Sequence, residues 1–238
     1  MPNRDGSKMK PGLILFAVVT AALLAYGLYS GLIGAPTERT MGDVQRIFYY
    51  HVPSAWTAFL LFFLNFCASI WYLISRSDRA DAIAVTTAEV GVVFCTVVLI
   101  TGPLWARPVW GIWWTWDARL TSTLVLWLIY VSYLILRRYS TGGQTAVIAA
   151  ALAIFGFVDV PLVYMSIRWF RTQHPQPVVG GGEGSGIDPA MMHALLWNWY
   201  AFMAFAALIC WVRYGLEMRS RAVEEAHAMR ALESGSVR

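Results

Sequence analysis

Charged residues are scarce in this sequence and make up 13% of its 238 residues, whereas soluble domains carry about 25%. Hydrophobic residues account for 58%, and the mean hydropathy is +0.54. This balance excludes an ordinary soluble domain and predicts an integral membrane protein. The net charge of +4 is small. No block of Lys and Arg lies on a polar domain, which argues against a nucleic-acid partner.

Cysteine is also scarce, with three residues at Cys67, Cys95 and Cys210 and no Cys-x-x-Cys pair. That pattern argues against a disulfide framework, a thiol redox motif and covalent c-type haem attachment. All three lie in apolar stretches and are expected to be small buried hydrophobes. The P-loop, His-Glu-x-x-His and Gly-x-Ser-x-Gly motifs are absent as well. The chain alone therefore lacks a motif for ATP hydrolysis.

Six long apolar stretches remain, and each approaches the roughly 20 residues that a membrane-spanning helix needs. They cover residues 13–33, 55–74, 83–101, 120–136, 146–167 and 194–212. The first follows Arg4, Lys8 and Lys10 as a signal peptide would, but it is longer than the usual 7–15 or so apolar residues and no Ala-x-Ala site follows. The sequence predicts an all-α integral membrane protein with six transmembrane helices.

The distribution of basic residues predicts the orientation. Twelve Lys and Arg residues fall on the side of the termini and six on the other side, so both termini are expected in the cytoplasm. Residues 1–212 then form one six-helix domain, and 213–238 form a charged, helical, solvated tail. Three longer segments, 34–54, 102–119 and 168–193, lie outside. The last contains a glycine-rich stretch at 180–186, which indicates a flexible loop.

The segment between the third and fourth spans holds four tryptophans within seven positions, Trp110, Trp113, Trp114 and Trp116. Aromatic residues at a membrane interface often serve only as anchors, but anchoring belts are spread around a protein rather than packed into one loop. Such a run offers an apolar aromatic platform for a large planar ligand. We take the platform segment as about 105–122, with Asp117 and Arg119 supplying one charge of each sign at its edge.

Two histidines, His51 and His193, stand at equivalent depth at the outer mouths of the second and sixth spans. Pro53 and Ser54 resemble a helix start, with Ser54 as the cap. Imidazole is a standard axial ligand of haem iron, so His51 and His193 could clamp one iron between them. His174 lies in a polar loop and is expected to be a solvated histidine.

The sequence leaves the roles of several other polar residues open. Arg46 or Arg119 could pair with haem propionates, whereas Arg119 could equally form a structural pair with Asp117. Glu89 and Asp159 lie within predicted spans, where carboxylates are expensive and are suspected of function. Glu89 could mark a proton site or a helix-packing site, and Asn65 is expected to form an interhelical hydrogen bond.

Three segments together carry a resemblance to a known family. WGIWWTWDARLTS at 110–122 resembles the tryptophan-rich "WWD" signature of haem-handling membrane proteins. FYYHVPSAW at 48–56 and HALLWNW at 193–199, with the length and the six spans, are similar to the haem exporter protein C (CcmC) family. The glycine-rich stretch at 180–186 is not part of that pattern.

The resemblance implies a transport and delivery protein of the bacterial inner membrane rather than an enzyme. It implies that His51 and His193 bind the iron of a b-type, transiently held haem at the periplasmic face. The WWD segment would hold the porphyrin, and Arg46 and Arg119 would contact the propionates. The haem would pass to the periplasmic chaperone CcmE, where it ends covalently attached. CcmD and the ABC transporter proteins CcmA and CcmB would be the further partners.

Two other function classes stay open at this point. A haem lyase that attaches haem to apocytochrome would carry further helices and large external domains, for which this chain has no room. A permease or a structural subunit of an ABC complex would instead depend on Glu89 and Asp159, with the tryptophans as mere anchors.

Overall fold

The computed structural model describes residues 11–140, 142–179 and 186–235 and contains no β-strand in those ranges. Its helices are α1 (Pro11–Tyr29), α2 (Phe48–Ser75), α3 (Asp78–Trp110), α4 (Ala118–Tyr139), α5 (Thr145–Phe157), α6 (Asp159–Trp169) and α7 (Pro189–Gly235). Six helical stretches are long and apolar enough to cross a membrane, which confirms the predicted all-α membrane fold. Arg4, Lys8, Lys10 and Arg238, and residues 180–185 of the glycine-rich stretch, lie outside the described residues.

We call the end of the bundle that carries His51 and His193 the outer end, after the predicted orientation. At this end, two helices are longer than the sequence predicted. α2 begins at Phe48, so Pro53 and Ser54 lie inside the helix and do not start it. A 3-10 turn over Asp43–Ile47 leads directly into α2 and supplies the helical backbone before Pro53. α3 continues to Trp110 through two prolines. Most of the predicted outer segment 102–119 is therefore helix.

The fifth span is broken into two helices near its middle. α5 ends at Phe157 and α6 starts at Asp159, with Val158 between them. Pro161 explains the break, because it has no N–H for the carbonyl of Phe157 and its ring clashes with that carbonyl. The break puts Asp159 at the beginning of a helix within the span.

The largest apolar cluster joins α2, α3 and α4, with α5 to α7 packed around it. Phe62 of α2 stacks on Tyr130 of α4 with ring centroids 3.8 Å apart and planes 14° apart. Gly91 of α3 allows this approach, because a Cβ there would lie 2.7 Å from Cε1 of Phe62. All three cysteines are free; Cys95 is buried as expected, whereas Cys67 is exposed.

Two buried asparagines join neighbouring helices. Asn65 of α2 donates from Nδ2 to the carbonyl of Ala84 in α3 at 2.7 Å, which confirms the predicted interhelical hydrogen bond. Asn198 of α7 donates from Nδ2 to the carbonyl of Gly27 in α1 at 2.9 Å. Interhelical hydrogen bonds of this kind replace the hydrophobic driving force that lipid cannot supply.

Charges collect at the opposite, inner end of the bundle, where α7 continues past residue 212 without interruption. Asp81 of α3, with a side chain 6% exposed, accepts from both terminal nitrogens of Arg137 in α4 at 2.9 and 2.6 Å. Arg221 of α7 donates to the same carboxylate at 2.7 Å. The first part of the predicted tail is thus packed against the bundle, and the residues described after Arg221 are exposed as expected.

Candidate functional site

The tryptophan-rich segment is held by a helix end on each side. α3 ends at Trp110, and Gly111 adopts the left-handed conformation at φ +79°, with its N–H donating to the carbonyl of Arg107 at 3.0 Å. This conformation favours glycine, which has no Cβ to clash. Arg107 also donates to the carbonyl of Gly111. The chain then runs through 111–117 without helical structure to the start of α4.

Asp117 caps α4 at the end of this segment. Its Oδ1 accepts from the backbone N–H groups of Arg119 and Leu120, both at 3.0 Å. Its Oδ2 accepts from the Thr115 hydroxyl at 3.1 Å and from the backbone N–H of Gln173 at 3.3 Å. An aspartate in this position satisfies free amide groups of the first helical turn. Asp117 thus joins the WWD segment to the third outer segment, and the described hydrogen bonds assign it a capping role.

The tryptophans of the segment differ in exposure and do not form one flat surface. Trp113 is 55% and Trp116 77% exposed, whereas Trp110 and Trp114 are half-buried. The rings of Trp114 and Trp116 lie 5.7 Å apart at 77°, an edge-to-face arrangement. Two large indoles are thus left uncovered at the surface of this end.

His51 is buried at the outer end between α2 and α3. Its Nδ1 lies 2.9 Å from the Thr101 hydroxyl, and its ring meets that of Trp105 at 5.9 Å and 71°. The described hydrogen bonds of His51 involve Nδ1 alone. Nε2 is the ring nitrogen left for a further ligand.

His193 lies on another side of the same end, between α1 and α7. It is exposed, and its Nε2 lies 2.9 Å from the hydroxyl of Tyr26 in α1. Its ring also contacts that of Trp197 at 6.0 Å. The described contacts of His193 thus belong to α1 and α7, whereas those of His51 belong to α3.

His174 is more buried than the solvated histidine that the sequence predicted. His174 is half-buried, and it interacts electrostatically with His51, Arg119 and Asp117. Burial first and the positive charge of Arg119 second lower the pKa of His174 from 6.5 to about 4. Its Nδ1 lies 2.8 Å from the carbonyl oxygen of Pro175. A carbonyl only accepts, so Nδ1 carries the proton and Nε2 holds the lone pair.

Arg119 is the basic side chain of this region. Among the described residues its guanidinium forms no ion pair and makes one long hydrogen bond, 3.4 Å to the carbonyl of Val163. Arg119 and Asp117 interact electrostatically without a direct ion pair between their side chains, so the structural role that the sequence left open stays open. Arg119 also interacts electrostatically with His51. A cation held beside two histidines is suited to bind an anionic substituent of a ligand.

The described hydrogen bonds of Arg46 all lie within the connection between α1 and α2. Its Nη1 donates to the carbonyls of Gly31 and Ala35 at 3.1 and 3.3 Å, and its Nε donates to Asp43 at 3.1 Å. These bonds satisfy carbonyls at the end of α1 and the turn after it. The described geometry gives Arg46 a structural role, and its contact with a propionate stays a prediction.

The two intramembrane acids lie in different surroundings. Glu89 accepts a bidentate pair of hydrogen bonds from Arg213 of α7 at 2.7 and 2.8 Å, so it joins α3 to α7. Asp159 leaves Oδ2 without a hydrogen-bond partner in the described part of the chain. The packing interpretation of Glu89 is the one its contacts favour, which weakens the permease alternative.

Three buried indole N–H groups have no hydrogen-bond partner within the described ranges, and the one on α7 is that of Trp199. The other two belong to Trp105, beside His51, and to Trp114 of the WWD segment. Buried donors of this kind are normally satisfied. Together with the free Nε2 of His51 and the unpaired guanidinium of Arg119, they fit a planar ligand with a metal and acidic substituents.

Comparison with known proteins shows the family of this chain. A family model described as "Heme exporter protein C" matches residues 4–229. This chain belongs to the CcmC family. Proteins named Heme exporter protein C from Bradyrhizobium diazoefficiens and Escherichia coli K12 are 36% and 32% identical to it. The matches cover 76% and 83% of this chain and 68% and 80% of those relatives.

The CcmC family resemblance also extends beyond bacteria. A ccmC-like mitochondrial protein of Marchantia polymorpha, named for cytochrome c biosynthesis, is 32% identical over 71% of this chain and 72% of its own length. The family model matches the first five candidate spans in full and the sixth up to residue 229. The family predicted from the WWD, FYYHVPSAW and HALLWNW segments is confirmed.

Proposed function

We propose that this protein holds b-type haem without a covalent bond at its outer, periplasmic face and passes it to the chaperone CcmE for cytochrome c maturation. It acts as a multi-pass delivery protein of the bacterial inner membrane rather than as a classical enzyme. Family membership supports the haem-handling role. The observation that carries the site is the buried His51, which contacts Thr101 and Trp105 at the end of α3 that leads into the WWD segment.

His51 and His193, the pair named by the sequence pattern, would hold the haem iron in this proposal. His193 lies at the same outer end, with its Nε2 2.9 Å from the hydroxyl of Tyr26. His174 is an alternative second ligand, because its Nδ1 donates to the carbonyl of Pro175 and leaves a lone pair on Nε2. A neutral imidazole whose other nitrogen donates to an oxygen acceptor is the usual form of a metal-binding histidine.

The surrounding residues would orient the haem and leave one edge open. Trp113 and Trp116 present exposed indoles for the porphyrin face, and Trp110 and Trp114 lie partly beneath them. The guanidinium of Arg119 and the free N–H groups of Trp105 and Trp114 suit propionate oxygens. An exposed edge is what transfer to a second protein requires, since a fully buried haem could not reach CcmE.

The remaining partners of the proposal are CcmD and the ABC transporter proteins CcmA and CcmB. This chain carries no P-loop motif, so any nucleotide hydrolysis belongs to a partner. Its described charges at the inner end are largely paired within the bundle. The role of this chain in the assembly is therefore to hold and present haem.

The test is the visible absorption spectrum and the pyridine haemochrome assay of the detergent-purified protein and its His→Gly variants. We expect a b-type bis-histidine spectrum that His51→Gly and His193→Gly each abolish, with or without added haem, and that free imidazole restores. His227→Gly in the exposed tail is the matched control. Retained haem in His193→Gly and loss in His174→Gly would make His174 the second ligand instead. A wild-type protein that stays colourless after haem addition would overturn the haem site.

A further inference from the structure

We infer that Thr101 is a positioning residue that fixes the tautomer of His51, with the proton on Nδ1 and the lone pair on Nε2. The tautomer follows from the hydrogen bonds of the protein alone. Its consequence for haem binding rests on the proposed function.

The single hydroxyl proton of Thr101 is already used within α3. Oγ1 lies 2.7 Å from the carbonyl oxygen of Val97 and 3.4 Å from that of Val98. A carbonyl oxygen accepts and never donates, so the hydroxyl must donate in this direction. Toward His51, 2.9 Å away, Oγ1 can then only accept. Nδ1 of His51 must supply the proton.

A neutral imidazole carries one ring proton, so Nε2 of His51 is left with its lone pair. That is the form in which a histidine binds a metal, and a hydrogen bond from the opposite nitrogen raises its strength as a ligand. Thr101 would therefore both select the ring nitrogen that faces the ligand and increase its donor strength. Without an acceptor at Nδ1, the proton could move to Nε2 and block it.

A further residue of the same helix contacts the ring. Trp105, one turn after Thr101, meets the imidazole edge-on. The outer end of α3 thus packs against His51, and Thr101 supplies the polar contact described for the ring.

Thr96 is a matched control on the same helix. Its hydroxyl donates to the carbonyl four residues earlier, Val92, at 2.8 Å. It accepts from the indole N–H of Trp127 at 2.8 Å. Thr96→Val removes an equivalent pair of hydrogen bonds, one to a backbone carbonyl of α3 and one to an aromatic ring nitrogen. It leaves the surroundings of His51 intact. General damage to α3 and loss of the His51 contact can therefore be separated.

The first experiment measures the tautomer in the haem-free protein by 15N NMR of histidine-labelled samples, with the His51 signals assigned from His51→Gln. Protonated and unprotonated ring nitrogens differ widely in 15N shift. We expect Nδ1–H in the wild type, in Thr101→Ser and in Thr96→Val, and a shift toward Nε2–H in Thr101→Val. An Nε2–H tautomer in the wild type, or an unchanged Nδ1–H signal in Thr101→Val, would overturn the assignment.

The second experiment titrates haem into the same four proteins and follows the visible spectrum. Loss of a hydrogen-bonding partner behind a metal ligand typically weakens binding about 10- to 100-fold, so we expect that loss in Thr101→Val and near wild-type affinity in Thr101→Ser and Thr96→Val. Unchanged affinity in Thr101→Val despite an altered tautomer would refute the positioning role. If the wild type binds no haem, the proposed function fails, and the NMR result still decides the tautomer.

Discussion

His174 is more buried than its polar sequence neighbours suggest. It sits beside the cation Arg119 and the carboxylate of Asp117, and burial dominates the lowering of its pKa to about 4. A histidine with a lower pKa in the folded protein binds its proton more weakly there than in the unfolded chain. The folded state is therefore favoured fully above pH 6.5, and this contribution to stability is lost as the pH falls from 6.5 toward 4.

We predict an NMR titration midpoint for His174 in the haem-free protein well below 6.5. Arg119→Gln should raise that midpoint, because it removes the nearby positive charge. His174→Gln should flatten the dependence of the thermal unfolding midpoint on pH between 6.5 and 4. A midpoint for His174 near 6.5 would mean that the third outer segment does not pack against residues 117–119 as described.

Sequence patterns named His51 and the WWD segment as candidates but did not predict the burial of His174, and the reason is physical. The burial of His174 arises from contact with residues such as Asp117, which accepts from the N–H of Gln173 across 56 positions of the chain. No local pattern around Thr172–Pro175 encodes that contact. Thr101 was missed for a similar reason, because its role comes from a neighbour 50 positions away.

At the level of the helices, the centre at Asp81 joins α3, α4 and α7 through one buried carboxylate. Arg137 and Arg221 both donate to it. We predict that Asp81→Asn destabilises the protein by about 3–5 kcal/mol, because it leaves two guanidinium groups without their shared anion. Thermal or SDS-induced unfolding in detergent measures this loss. Asp78→Asn is the control, since Asp78 is 82% exposed and lies 3.8 Å from Arg221; equal losses in the two variants would contradict a buried centre.

The existence of the six helices could be predicted from length and apolarity, but several of their ends could not. Pro53 looked like a helix start, yet the preceding 3-10 turn extends the helix to Phe48. The break at Val158 comes from one proline within a stretch that is apolar throughout. Apolar composition reports contact with lipid or core, whereas helix ends depend on individual hydrogen bonds.

On the scale of the whole molecule, the two ends of the bundle are chemically different. The inner end pairs its acids with arginines of α4 and α7, through Asp81 and Glu89. The outer end carries His51, His174 and His193, the exposed tryptophans, and Arg119, which forms no ion pair among the described residues; the indole N–H groups of Trp105 and Trp114 have no partner there either. Paired charges stabilise a bundle, whereas unsatisfied donors and free ring nitrogens are available to a ligand. This contrast favours the outer end for ligand binding.

The orientation of these ends is a prediction from the twelve basic residues on the side of the termini against six on the other. Several of the twelve are paired with acids, such as Arg137 and Arg213. Pairing does not cancel their effect, because the positive-inside rule counts Lys and Arg and depends little on Asp and Glu. We therefore expect both termini in the cytoplasm even though acidic residues offset much of the positive charge at the inner end.

Labelling of single cysteines with a membrane-impermeant maleimide tests this orientation in a cysteine-free background. Trp116→Cys and Val223→Cys are suitable because both residues are exposed, 77% and 56%, at opposite ends of the bundle. We expect Trp116→Cys to react in intact cells with a permeabilised outer membrane, and Val223→Cys to react only after lysis. The reverse pattern would put the tryptophans and histidines in the cytoplasm, where a periplasmic chaperone could not collect haem from them, and labelling of both in intact cells would exclude a single orientation.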